Sequence, residues 1–341
     1  MGQDRESTLE PRSRATGGGA PRALKKVAIT GATGFLGWHL VLAFQRRGLN
    51  VRAIVRPGNT KPLPEATEVV ESALEPEALA KAVDGCAILV HAAGVSRAPR
   101  SSVFESVNVA GTRAAVEAAN RTGARLVAVS SQAAVGAGTI QRPAREDDEP
   151  NPVTPYGRSK LAAEKVVRST ARAPWTIVRP VSVYGPRDRA FLPLFRMAAR
   201  GWFFQAVRAS TAYTFIYVDD LADGVALASL SDRTTGQALF LGNATPLTAE
   251  ELLKALADAF GRQFKPWRVR GLYAAALAGE LSWVLGRQPT LDLGRYAELQ
   301  QDGFVCSVDR ARELTGFSAR VSLADGIRRT ANWYKQEGWI R

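Results

Sequence analysis

The stretch Thr30-Gly31-Ala32-Thr33-Gly34-Phe35-Leu36-Gly37 decides the fold. It follows a short β run, Lys26–Thr30 (KVAIT), and leads into a helical segment over His39–Arg47. Glycines at 31, 34 and 37 permit a tight turn and close backbone approach, and the start of the next helix offers free N–H groups to a pyrophosphate. With 30 glycines in the chain, a G-x-x-G-x-x-G triple arises by chance about 0.2 times. Its place between strand and helix, which phosphate binding requires, is the more specific feature. The spacing also differs from the G-x-G-x-x-G of the ordinary dinucleotide fingerprint.

Outward from this loop, apolar β runs alternate with helical segments. Val51–Val55, Ala87–His91, Leu126–Val129 and Thr176–Val178 read as strands, and Ala78–Val83, Ala110–Ala119 and Tyr156–Thr170 as helices. This order predicts right-handed βαβ crossovers and an α/β fold with a parallel sheet covered on both faces. From about residue 190 the regularity loosens into short helices with Pro, Gly and Trp. We expect a flexible tail over residues 1–24 and a dinucleotide-binding domain over 25–189. A smaller, mixed substrate-binding region is expected over 190–341, with some elements returning to the sheet.

Composition narrows the chemistry. Only two histidines (His39, His91) and two cysteines (Cys86, Cys306) occur in 341 residues, so there is no clustered zinc motif and no disulfide framework. No metal is expected, and another residue type has to move protons. The net charge of +13 comes from 36 Arg and 9 Lys scattered along the chain. Without a run of like charge this reads as a solvated basic surface rather than a nucleic-acid footprint. The first 24 residues lack the apolar centre of a secretory signal, which points to a cytoplasmic protein. Leu272–Leu285, interrupted by Glu280, is shorter than the roughly 20 residues that span a bilayer. Peripheral membrane contact stays open.

Two further positions bear on cofactor and catalysis. At the end of the second strand, Val55-Arg56-Pro57-Gly58-Asn59 carries no acid for an adenosine ribose. Arg56 suits a 2′-phosphate or stacks on adenine, which favours NADP over NAD. In Tyr156-Gly157-Arg158-Ser159-Lys160, Thr154 reads as an N-cap and Pro155 as the first helical residue. Tyr156 and Lys160 then share a helix face. An ammonium near a phenol lowers its pKa from about 10, and such a Tyr exchanges a proton with an alcohol or carbonyl oxygen.

Taken together, the motifs closely resemble the extended short-chain dehydrogenase/reductases, also called the NAD-dependent epimerase/dehydratase superfamily, over residues 25–338. They are TGATGFLG (30–37), HAAG (91–94), NVAGT (108–112), VSS (129–131), PYGRSK (155–160), RPVSVYGP (179–186) and FIYVDD (215–220). The resemblance implies a Rossmann-type doubly wound parallel sheet and a Ser–Tyr–Lys catalytic set. Tyr156 would be the acid/base, Lys160 would hold the nicotinamide ribose and lower the Tyr pKa, and Ser131, with Ser130 as fallback, would bond the reacting oxygen. It further implies that Gly31, Thr33, Gly34, Phe35, Leu36 and Gly37 hold the pyrophosphate. Ala92, Ala93 and Gly94 would admit the cofactor to the backbone, with Asn108 supporting them and Pro180, Val181 and Val183 at the nicotinamide. His91 would sit beside the cofactor, and His39 reads as structural. Where the family often has an Asp after the third strand, Ala73 stands, leaving the Leu74 backbone for adenine. Helices of the family often pair subunits, so a homodimer is an expectation.

The resemblance also separates reactions. Dehydratases of the family place acids beside the catalytic hydroxyl, where Gln132-Ala133-Ala134 stand. Nucleotide-sugar enzymes often have an Asn where Ser182 lies and an Arg where Ala212–Thr214 lie. The layout is most similar to the 3β-hydroxysteroid dehydrogenase and dihydroflavonol reductase branch, with Trp202, Phe203, Phe204, Trp267, Tyr273, Trp283 and Leu285 as an apolar lining. The expected activity interconverts a secondary alcohol and a ketone on a hydrophobic small molecule of steroid, terpenoid or flavonoid type. The alternatives are a nucleotide-sugar epimerase/dehydratase and a non-catalytic NAD(P)-binding scaffold or sensor.

Overall fold

The computed structural model describes residues 26–269, 271–287 and 289–340; the expected N-terminal tail lies outside them. Seven parallel strands form the central sheet: β1 Lys26–Thr30, β2 Asn50–Val55, β3 Glu68–Glu71, β4 Ile88–His91, β5 Arg125–Val129, β6 Trp175–Pro180 and a last strand, Gln237–Leu241. Their spatial order is β3-β2-β1-β4-β5-β6-last, with every neighbouring pair parallel. Apart from the edge strand β3, whose residues are mostly exposed, the strands are short, rich in Val, Ile and Leu, and buried on both faces, as a parallel sheet between helix layers requires. Side chains alternate across β1: Val27 and Ile29 enter one apolar cluster, Ala28 the other. On one face the cluster is closed by α1 (Phe35–Gln45) and the helix Val218–Leu230. On the other it is closed by α2 (Pro76–Val83), α4 (Gly111–Thr122) and α5 (Pro155–Thr170). This is the doubly wound arrangement implied by the resemblance.

The order reverses between β1 and β4, which opens a crevice at the carboxyl ends of the strands. There the loop 30–37 meets HAAG. A third apolar cluster, including Phe195, Phe203, Leu256 and Tyr334, packs the C-terminal helices Leu192–Ala199, Ala249–Ala259 and Leu323–Gln336 together. Tyr334 donates a hydrogen bond to the Asp188 carbonyl at 2.7 Å. The motifs RPVSVYGP and FIYVDD meet as two short parallel strands, Ser182–Tyr184 beside Phe215–Tyr217.

Some elements beyond residue 190 were expected to return to the sheet, but three elements of the sheet and its helix layers were not individually legible in the sequence. β3 (EVVE) is an edge strand with Glu at both ends, and edges tolerate charge that central strands do not. The helix Val218–Leu230 and the strand Gln237–Leu241 follow a long excursion, and only tertiary packing returns them to the sheet.

Candidate active site

Helix α5 begins as its sequence prescribes: the Thr154 hydroxyl accepts from the Gly157 N–H at 3.0 Å, and Pro155 occupies the first turn. Lys160 is buried and donates from Nζ to the Val129 carbonyl at 2.9 Å. Burial pulls its ammonium down to about 8, opposed by Glu164. Tyr156 is partly exposed, yet burial pushes its phenol up to about 12; hydrogen bonding by Ser131 opposes the rise and the Glu298 charge adds to it. This corrects the expectation that Lys160 lowers the Tyr156 pKa: the ammonium is turned to a backbone carbonyl, and desolvation dominates the phenol.

The two hydroxyls left open by the sequence separate clearly. Ser130 donates to Glu164 Oε1 at 2.5 Å. Glu164 in turn takes a bidentate pair from Arg179, Nε at 2.9 Å and Nη2 at 2.7 Å, with both side chains almost wholly buried. Ser131 instead shares a cavity wall with Tyr156.

The phosphate loop explains its own glycines. Gly31 has φ +74°, and a Cβ there would stand 2.7 Å from Ala93 N and 2.8 Å from the Ala92 carbonyl, so loop and HAAG touch backbone to backbone. A Cβ on Gly37 would meet the Gly31 carbonyl at 2.0 Å. Gly34 begins α1 with no side-chain cap, so the first turn at Phe35, Leu36 and Gly37 keeps its N–H groups for an anion. The Thr33 hydroxyl accepts from Asn59 at 3.1 Å, tying the loop to the segment after β2.

Asn108 lies in a π-helical segment, Glu105–Ala110, between the short helix α3 (Ser101–Phe104) and α4. Its amide accepts from Val95 N and donates to Val95 O and Ser159 Oγ, each at 2.9 Å. It therefore positions the HAAG loop and has no free donor for a ligand. A Cβ on Gly94 would lie 3.0 Å from Asn108 Oδ1 and 3.4 Å from Lys160 Nζ, so the gap beside Lys160 exists because residue 94 is glycine. His91 Nδ1 bonds Thr30 Oγ1 at 2.9 Å, while Nε2 has no partner among the described residues. Burial, assisted by Lys160, holds this ring neutral with a pKa near 3. Leu74 packs near Gly111 beside that ring. His39 is structural: it bridges Asp219 Oδ1 at 2.6 Å and the Pro186 carbonyl at 3.1 Å, joining α1 to both late motifs.

Arg56 is exposed and has no ion pair among the described residues. An acid approaches the segment after it: Glu71, in register with Val55 on the neighbouring strand, accepts from Gly58 N at 3.2 Å. Parallel pairing brought it there, and no local signal announces that.

Beside the crevice lies a cavity of about 320 Å³. Ser131, Gln132 and Tyr156 share its walls with Val181, Ser182, Phe191, Leu194, Phe204, Tyr213, Phe215, Leu252 and Leu253. Pro180 and Val183 flank the Val181–Ser182 segment without entering the cavity wall. Of the apolar lining expected from the sequence, only Phe204 is in the wall. Phe203 is core, and Trp202, Trp267, Tyr273 and Leu285 are exposed. Gln132 is buried with its Nε2 unpartnered. The helix Leu293–Leu299 adds Arg295 and Glu298, 3.5 Å apart, and burial raises the Glu298 carboxyl despite Arg295. Both escaped the sequence reading, since they lie more than 130 residues from Tyr156.

An uncapped helix start, glycines whose side chains would fill the crevice, and a lysine facing it all fit a dinucleotide. Residues 27–241 match the NAD dependent epimerase/dehydratase family. The chain belongs to that family. It is 33% identical over 330 residues to a ceramide reductase of Caulobacter vibrioides, covering 92% of this chain and 96% of the relative. A 4-hydroxy-2-methyl-3-oxo-4-farnesyl-3,4-dihydroquinoline-1-oxide ketoreductase of Stigmatella aurantiaca is 30% identical, with 88% and 93% covered. The solved structure of gox2253 superposes with a TM-score of 0.78 at 27% identity, covering 93% of this chain and all of the other. As a family member with reductases and dehydrogenases among its relatives, the protein is an NAD(P)-dependent oxidoreductase of the extended short-chain type.

Proposed function

We propose that the protein reduces a ketone on a long-chain or polycyclic lipid to a secondary alcohol, with Tyr156 as the proton donor and NADPH as the preferred cofactor. The observation that carries this is the cavity in which Ser131 and Tyr156 open onto a largely aliphatic and aromatic wall. A bound NADPH supplies the hydride. A phenol held near 12 stays protonated at neutral pH, so Tyr156 suits donation to a carbonyl oxygen as negative charge develops there. Ser131 would hold that oxygen by a second hydrogen bond and orient the carbonyl. Lys160, beside Gly94, would bind the ribose hydroxyls and keep its charge below about pH 8. Asn108 holds the HAAG backbone in place for that contact.

The NADPH preference rests on Arg56, since the nearby Glu71 carboxylate is engaged by the Gly58 N–H. The relatives named for ceramide and for a farnesylated ketone favour a lipid-like substrate. A solved neighbour, MoeE5, binds UDP-glucuronic acid and NAD at 25% identity and a TM-score of 0.71. Against that reading, the basic side chain in this cavity wall, Arg295, is already paired with Glu298, and Gln132 stands where a dehydratase acid is expected. The test is purified protein with NADPH, offered a long-chain amido-ketone, a steroid ketone, UDP-glucose and UDP-glucuronic acid, with products read by mass spectrometry. Reduction of a lipid ketone is expected. Conversion of the UDP-sugars alone would replace this function with the nucleotide-sugar one.

A further inference from the structure

The helix Leu272–Val284 (LYAAALAGELSWV) breaks the rule that a helix apolar all round is buried. Among its described side chains, Tyr273, Leu277 and Leu281 are exposed, and only Ala276 and Gly279 are buried. Leu281 is 66% exposed, Leu285 just beyond the helix 74%, and Trp267 on the preceding strand 71%. Trp202, also exposed, precedes the strand Phe203–Gln205 that pairs with Pro266–Arg268, so it joins these in an apolar and aromatic surface larger than scattered exposed residues account for. Thirteen residues rise about 20 Å, short of the roughly 30 Å hydrocarbon core, and no helix among the described residues is long and apolar enough to cross a membrane.

This surface is built onto the cavity. Tyr273 packs edge-on against Tyr296 at 5.4 Å, on the helix that gives Arg295, Glu298 and Leu299 to the cavity wall. Trp267 is in register with Phe204, another wall residue. A second, more polar cavity of about 390 Å³ shares Gln205, Ala206, Val207 and Leu299 with the first and is lined by Arg268 and by Arg208, the latter paired with Asp302 at 3.5 Å.

The charge around the apolar face is one-sided. Residues 261–287 hold five basic residues and one acid, Glu280, and that acid is engaged by the Leu293 N–H at 2.9 Å. Arg262, Lys265, Arg268 and Arg287 are exposed, and Arg200 stacks over Trp202 at 5.6 Å. Apolar side chains flanked by aromatics and cations are what a monotopic contact with an anionic bilayer requires.

We propose that residues 262–287 dock the protein on the surface of an anionic lipid bilayer, with the cavity mouth toward the membrane, so that a lipid ketone enters directly from it. The lipid-ketone part rests on the function proposed above; the docking itself does not. The test is flotation of the full chain, without cofactor or substrate, on phosphatidylcholine vesicles with and without about 30% phosphatidylglycerol. Wild type should float with the anionic vesicles, weaken as salt rises, and bind the neutral ones far less. Leu281→Glu with Leu285→Glu should cut binding about tenfold or more, and Arg268→Gln with Arg287→Gln should lower it on anionic vesicles alone. Both pairs are exposed, so thermal melting should stay near wild type. Light scattering during size exclusion completes the test: a dimer that Leu281→Glu and Leu285→Glu convert to monomer, with no flotation of wild type, would overturn the proposal in favour of a second copy on this face. Flotation without lipid-ketone turnover would leave docking standing and remove the substrate; turnover without flotation would do the reverse.

Discussion

Replacing Lys160 with Met should make the ligand-free protein more stable at neutral pH and less active. The buried ammonium sits at about 8 in the folded chain against 10.5 in the unfolded one. Below about pH 8 both states are protonated and the folded state carries the full desolvation cost. The displacement converts to about 3 kcal/mol at 1.36 kcal/mol per pK unit. Between those values the unfolded state binds more protons, so stability rises with pH through that window; above it the lysine is neutral in both states and the cost is gone. Met removes the charge but leaves the Val129 carbonyl without its donor, a loss of about 1 kcal/mol. The variant should therefore gain about 2 kcal/mol near pH 7, and the difference from wild type should shrink by about 2 to 3 kcal/mol by pH 10. Urea unfolding of both proteins across that range reads the difference directly, with all other titrations common to both. A difference that is flat with pH, or a destabilised variant at pH 7, would refute the assignment of burial as the dominant influence on Lys160.

Arg56→Ala should raise the dissociation constant for NADPH about tenfold and leave NADH nearly unchanged, as read by nucleotide fluorescence titration; equal effects on both would remove the 2′-phosphate role. Glu164→Gln breaks the buried pair beneath the site, strands Arg179 and should cost about 3 to 5 kcal/mol, whereas Glu164→Leu with Arg179→Met should recover most of it. Recovery is absent if the pair itself, rather than the uncompensated charge, supplies the stability. Gly31→Ala has to fit a Cβ against the Ala92–Ala93 backbone at a positive φ; it should cost about 1 to 3 kcal/mol and abolish dinucleotide binding, checked by melting and by titration.

The Rossmann half was legible because its signals are local. A glycine loop between a strand and a helix, a Thr-Pro helix start and apolar β runs each report on a few adjacent residues, and the structure places each as read. Cavity walls are different. Trp267 and Leu285 look like pocket lining in sequence but face outward, while Arg295 and Glu298 carry no local mark and become neighbours of Tyr156 only through folding. Long-range electrostatics was equally hidden: the helix spacing of Tyr156 and Lys160 is right, but the Val129 carbonyl captures the ammonium and burial sets the phenol. Glu71 shows the same limit on the cofactor side, since strand pairing rather than sequence proximity brings it to the Arg56 loop.

In the proposed reaction Tyr156 delivers the proton to a lipid ketone. Tyr156→Phe removes one hydroxyl from the cavity and leaves the phosphate loop and Lys160 in place. Turnover of the ketone substrate with NADPH should fall about 10² to 10⁴-fold, while the NADPH dissociation constant stays within about twofold of wild type. Undiminished reduction by the variant, with cofactor binding intact, would rule out Tyr156 as the proton donor.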